Sequence, residues 1–152
     1  MFTAAILAAL LAQEPAKKPV ETAHLSMTTA ASAATATRGG KLTLSVDVTP
    51  KPGMHVYAPG QDGYIAIVLT LDADPALAPA KAKYPAGEKY VMPALNETML
   101  VYAKPFRIAQ DVTIKAASGT KIIKGSVRYQ ACDDKICYLP KTVPVEWTIA
   151  VR

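Results

Sequence analysis

The sequence predicts an all-β fold, an antiparallel sandwich of roughly immunoglobulin size, and three observations point there. Apolar and polar residues alternate with a period of two in several segments, the pattern that gives a strand one buried and one wet face. Those segments are short and are separated by turns rich in Pro and Gly. Past residue 40 no segment carries a capped helical period.

The clearest strand is KLTLSVDV, in which Leu42, Leu44, Val46 and Val48 alternate with Lys41, Thr43, Ser45 and Asp47. TPKPG ends it with two prolines and a glycine. MHVYA, YIAIVLTL, FRIAQDVTI and KIIKGSVRYQ follow as strand candidates. TVPVEWTIAV closes the series, with Val143, Val145, Trp147, Ile149 and Val151 directed inward. Between residues 72 and 105 stand Pro75, Pro79, Pro85, Pro93 and Pro105. Within that region YPAGEKYVMPALNETMLVY reads as too long and irregular for a tight hairpin. It is expected to be an ordered loop, a kind of segment that often carries binding or lid function.

The N-terminal part divides in two. MFTAAILAALLAQEP holds an apolar run too short to span a bilayer. Residues 1–20 are therefore expected to be a signal peptide, with small residues near Ala12 suited to cleavage. No Lys or Arg precedes the run, so the signal is atypical. Residues 21–40 are rich in Ala and Thr and are expected to form a flexible leader, in which HLSMT could supply a first edge strand. Residues 41–152 are expected to form the folded domain. Export would place the protein in the periplasm or another oxidising compartment, where a disulfide persists.

With 51% hydrophobic residues in 152, the chain can bury one real core. Its 19% of charged residues argues against disorder. The formal charge of +5 comes from dispersed lysines, with no basic run interleaved with aromatics. Nucleic acid is therefore not an expected partner.

The only two cysteines stand in YQACDDKICYLP, at Cys132 and Cys137. A structural zinc site needs four ligands, and here there are two thiols, with His55 and His24 distant in sequence. His24 falls in the expected leader. The remaining metal arrangement is a Cys2His copper site drawing on His55 or Met54, and no metal is expected. A staple closing so short a loop would contribute only about 2 kcal/mol. A redox pair needs a thiolate that reaches a partner's sulfur and a second thiol that resolves the mixed disulfide. Asp133 and Asp134 would raise a thiol pKa and Lys135 would lower one. Spacing alone leaves staple and switch level.

The segment VRYQACDDKICYLPKTVPVEW resembles the cysteine segment of the N-terminal periplasmic domain of the thiol:disulfide interchange protein DsbD. The resemblance rests on Tyr129, Gln130, Cys132, Cys137, Tyr138 and Pro140, and on KPGMHVYAPG with His55 and Tyr57. It implies an immunoglobulin-like β-sandwich that passes reducing equivalents through a redox-active Cys132–Cys137 disulfide, a protein-disulfide reductase component. By position, Cys137 would form mixed disulfides and Cys132 would resolve them. His55 and Tyr57 would line the pocket, and Tyr129 and Tyr138 would shape it. VMPALNETM, with Glu97, falls where the family's cap loop covers the disulfide. The implied partners are thioredoxin-fold proteins and a separate membrane thiol reductase, with no cofactor beyond the cysteines and no small-molecule substrate. Two features depart from the family. The cysteines stand one residue closer together, and the cap lacks an aromatic tip, offering Leu95, Asn96, Glu97 and Met99. The rival reading is a non-catalytic exported binding module with a structural disulfide, or a metal-delivery partner.

Overall fold

Strand alternation in the sequence turns directly into the layers of the fold. The computed structural model describes residues 18–152 and contains thirteen strands, numbered here in chain order. The first sheet takes β1 (Val20–Glu21), β2 (Leu25–Ala31), β4 (Lys41–Pro50), β10 (Phe106–Ile114) and β7 (Leu77–Pro79), in the order β1-β2-β4-β10-β7. The second takes β3 (Thr35–Ala36), β13 (Lys141–Val151), β11 (Gly119–Tyr129) and β6 (Val68–Leu71), in the order β3-β13-β11-β6. The third takes β12 (Ala131–Cys132), β5 (His55–Tyr57), β9 (Glu97–Tyr102) and β8 (Glu88–Met92), in the order β12-β5-β9-β8. Every pairing is antiparallel except that of β13 with β3.

The first two sheets face each other across the main core of an immunoglobulin-like sandwich. Leu42, Leu44, Val46 and Val48 of β4 are buried there with Val145, Trp147, Ile149 and Val151 of β13. Side chains of this size contribute about 1.5–3 kcal/mol each when fully buried. The Trp147 indole N–H donates to the Ser45 carbonyl at 3.0 Å, which satisfies its one polar atom and ties the sheets together. Pro144 lies within β13, opposite Ser126 of β11. The prolyl nitrogen has no hydrogen to donate, so the residue is tolerated where β13 has no ladder on its other side. Gly125 is required where β11 crosses β6, because a Cβ there would stand 2.5 Å from the Thr70 carbonyl oxygen.

Two segments differ from the sequence reading. Residues 21–40 are not a flexible leader: β2 pairs with β4 from Leu25↔Pro50 to Ala31↔Leu44. Leu25 and Met27 are fully buried, and that burial holds a segment whose Ala and Thr content alone gives little strand signal. It lies inside the sheet, with β1 rather than β2 at the edge. Residues 84–102, expected as an ordered loop too irregular for a tight hairpin, contain one after all. β8 and β9 form a hairpin in which Met92 pairs with Glu97. Its tight tip is closed by the Met92 carbonyl, which accepts from Asn96 N at 2.8 Å, with Asn96 in the left-handed region at φ 51°. The expected signal peptide and its cleavage near Ala12 fall largely on residues 1–17, outside the described residues. No helix among the described residues is long and apolar enough to cross a membrane.

Candidate functional site: a half-buried disulfide on the third sheet

The third sheet sorts its side chains between two cores. Val56 of β5 and its partner Ala131 of β12 join the main core. Tyr57 and Cys132, one position further along each strand, fall into a second cluster with Met92, Met99 and Val101. Tyr64 and Tyr90 pack against it. This division follows from the period of two in a strand.

A tight turn delivers β5 to this position. Pro52 and Gly53, the latter at φ 77°, occupy its centre, and Met54 N donates to the Lys51 carbonyl at 2.9 Å. Proline at the first central position and glycine at the second suit a type II turn. The cysteine loop is built by its own aspartate. Asp133 Oδ1 accepts from the backbone N–H groups of Lys135 and Ile136, each at 2.8 Å, and Asp133 Oδ2 accepts from the Tyr138 hydroxyl at 2.9 Å. The Ile136 and Lys135 N–H groups, followed by Tyr138, hold the Asp133 carboxyl below its ordinary value. Tyr138 N donates to the Ala131 carbonyl at 2.8 Å, and Gln130 Nε2 to the Tyr138 carbonyl at 3.1 Å.

Cys132 and Cys137 are joined in a disulfide whose two sulfurs differ in access. Cys132 is fully buried, whereas Cys137 is exposed. The Tyr57 hydroxyl stands 3.2 Å from Cys137 Sγ and 3.3 Å from Cys132 Sγ. Disulfide sulfurs carry no proton, so the hydroxyl is the donor in both contacts. Tyr57 is itself buried, and burial followed by the Glu97 charge pushes its pKa up, which keeps the hydroxyl protonated.

The hairpin is fastened to this site on two sides. The Tyr64 hydroxyl donates to Glu97 Oε2, and the Tyr64 ring lies 4.6 Å from that of Tyr57. The Tyr90 hydroxyl donates to Asp134 Oδ1, and the Tyr90 ring lies 4.4 Å from that of His55. These hydrogen bonds raise the pKa of both tyrosines. His55 is buried opposite Cys132 in the β5–β12 ladder, and its Nε2 has no hydrogen-bond partner. Burial lowers the His55 pKa, opposed by the charges of Asp134 and Asp133.

The structure therefore gathers Cys132, Cys137, His55, Tyr57 and Glu97 at one site. Glu97 reaches Tyr57 through Tyr64. The segment expected as a cap is the hairpin tip, and Met92 and Met99 supply apolar cover in place of an aromatic. That cover reaches Cys132 but leaves Cys137 open. Tyr129 stands elsewhere: it is fully buried in the main core, and its hydroxyl donates to Thr22 Oγ1 at 2.9 Å. Tyr138 braces the cysteine loop and lies 4.5 Å from the ring of His24. His24 is buried rather than part of a leader, with its pKa lowered by burial and by Lys141 and Lys51. Tyr64 and Tyr90 escaped the sequence reading because each meets its carboxylate from a distant part of the chain. No group of three or more His, Cys, Asp or Glu among the described residues is placed to hold a metal ion.

The family model for the N-terminal part of the thiol:disulfide interchange protein DsbD matches residues 22–148. The chain belongs to that family. Among solved structures it is similar to the N-terminal periplasmic domain of ScsB from Proteus mirabilis, with a TM-score of 0.59 and 13% identity. That match covers 85% of this chain and 47% of the other, so the chain spans less than half of that domain. The reduced N-terminal domain of DsbD from Neisseria meningitidis also matches, at 22% identity and a TM-score of 0.46, over 70% of this chain and 75% of the other. No curated protein matches the chain. At 13% identity the likeness to the ScsB domain speaks for the fold alone, and the family model carries the membership.

Proposed function

We propose that the protein is an exported thiol–disulfide exchange module that passes reducing equivalents from a thioredoxin-like donor to extracytoplasmic acceptor proteins. The observation that carries this reading is the asymmetry of the Cys132–Cys137 bridge, one sulfur buried and one exposed, with a single tyrosine hydroxyl donating to both. A bridge that served only to staple its loop would have no use for such an arrangement.

The exchange runs in balanced steps. A donor thiolate attacks Cys137 Sγ, the bond to Cys132 breaks, and its electron pair leaves with Cys132 as a thiolate. The Tyr57 hydroxyl stabilises the charge on that buried sulfur, where a hydrogen bond to an ion contributes about 1.5–3 kcal/mol. The donor's second thiolate then attacks its own sulfur in the mixed disulfide and releases Cys137, leaving the donor oxidised and the domain a dithiol once its sulfurs take up protons. Forward transfer reverses these roles: Cys137 attacks an acceptor disulfide and Cys132 resolves the product.

The reduction potential tests it. Equilibration with glutathione buffers is expected to give a potential above about −300 mV, the range of exchanging rather than structural bridges. A bridge that stays closed throughout such buffers would instead support the binding-module reading.

A further inference from the structure

The resolving step poses a proton problem. Cys132 is fully buried, and burial among Met92, Met99 and Val101 makes its thiol hold its proton, against the pull of the Tyr57 hydroxyl that favours the thiolate. Yet only its thiolate can attack the mixed disulfide at Cys137. A base beside it is required, and water is kept from that side of the bridge.

His55 stands in the right place. In the β5–β12 ladder it is the residue directly opposite Cys132, and directly paired residues project from the same face with Cβ atoms about 4.5–5.5 Å apart. The side chain is 2% exposed, and its Nε2 makes no hydrogen bond in the oxidised protein. A buried polar atom without a partner is rare and calls for an explanation. The sulfur of Cys132, across the ladder from this ring, carries a proton only after reduction. The surroundings suit a base that must briefly carry charge. Tyr90 packs against the ring at 4.4 Å and anchors to Asp134, and Tyr57 follows two positions along β5. Burial lowers the His55 pKa and leaves the imidazole neutral and able to accept a proton, while the carboxylates of Asp134 and Asp133 oppose that shift and support the transient cation.

We infer that His55 is the general base of the resolving step, taking the proton from Cys132 as its sulfur attacks Cys137. This rests on the exchange reading above. The Cys132–Cys137 bond forms, the bond from Cys137 to the acceptor breaks, and the acceptor leaves as a thiolate. The proton on His55 passes on to solvent or to that thiolate. In the opposite direction the His55 imidazolium returns a proton to the departing Cys132.

The reduced protein treated with Ellman's reagent tests this without any natural partner. Attack by Cys137 releases a first equivalent of thionitrobenzoate, and resolution by Cys132 releases a second. In wild type the second phase is expected to rise with pH through the imidazole range. In His55→Gln and His55→Asn it is expected to slow by about 10²-fold near neutral pH and to rise only in the thiol range. The first phase is the internal control, since its rate should be unchanged if the site is intact. An unchanged pH profile of the second phase in both variants would overturn the role of His55 and leave the exchange reading standing. Absence of the first phase in wild type would remove both.

Discussion

The buried hydroxyl of Tyr57 lies 3.3 Å from the Sγ of Cys132 and within 3.2 Å of the Sγ of Cys137. One donor thus addresses both sulfurs, and reduction turns at least one of them into a far better acceptor. Tyr57→Phe keeps the ring and removes only that donor. Reduction of the bridge by dithiothreitol should then slow by roughly 10-fold or more, following the value of a hydrogen bond to an ion. Because the reduced form loses stabilisation, the potential should also move to more reducing values. Stopped-flow reduction and glutathione equilibration measure the two effects.

The hairpin is held to the site through Tyr90 and Asp134. Tyr90→Phe should loosen it locally by about 1 kcal/mol. Hydrogen exchange should accelerate across Glu88–Met92 while β4 and β13 stay protected. Acceleration spread evenly over all three sheets would mean that the contact does not fasten the hairpin in particular.

Leu25 tests whether the N-terminal segment belongs to the fold. It is fully buried and lies opposite Pro50, so Leu25→Ala should cost about 2–5 kcal/mol. Urea denaturation followed by Trp147 fluorescence reads that loss. A dispensable leader would show none.

Two buried histidines set the pH response. In the folded protein His24 and His55 both titrate below 6.5, chiefly because burial penalises the cation. The unfolded chain therefore binds protons more readily as pH falls through 6.5, and stability falls with it. The contribution is complete above that value and is lost below it. The melting temperature of the oxidised protein should be lower at pH 5.5 than at pH 7.5, with a smaller difference in His24→Phe.

β4, β10 and β13 were legible in the sequence because each has one face on the core and one in water, so their residues alternate. β2 was only half legible: HLSMT offered its start as a possible edge strand, but its outward positions are Ser26 and Thr28 and its end is Ala30 and Ala31, leaving Leu25 and Met27 as the whole apolar signal. The β8–β9 hairpin was hidden by Pro93 and Asn96, which read as loop residues but form only its tip. At the site, the cysteines announced themselves, and His55 and Tyr57 came with the resemblance. Tyr64 and Tyr90 did not, because what matters about each is a carboxylate 33 or 44 residues away in the chain, brought near only by the fold.

In the proposed exchange Cys137 is the point of attack and Cys132 the resolving thiol. Incubating the Cys132→Ser and Cys137→Ser variants with a disulfide-bonded thioredoxin-fold protein, followed by mass spectrometry of the adducts, tests it directly. A stable mixed disulfide through Cys137 is expected in Cys132→Ser, and little or none through Cys132 in Cys137→Ser. Equal trapping through the two cysteines, or trapping through neither, would contradict it.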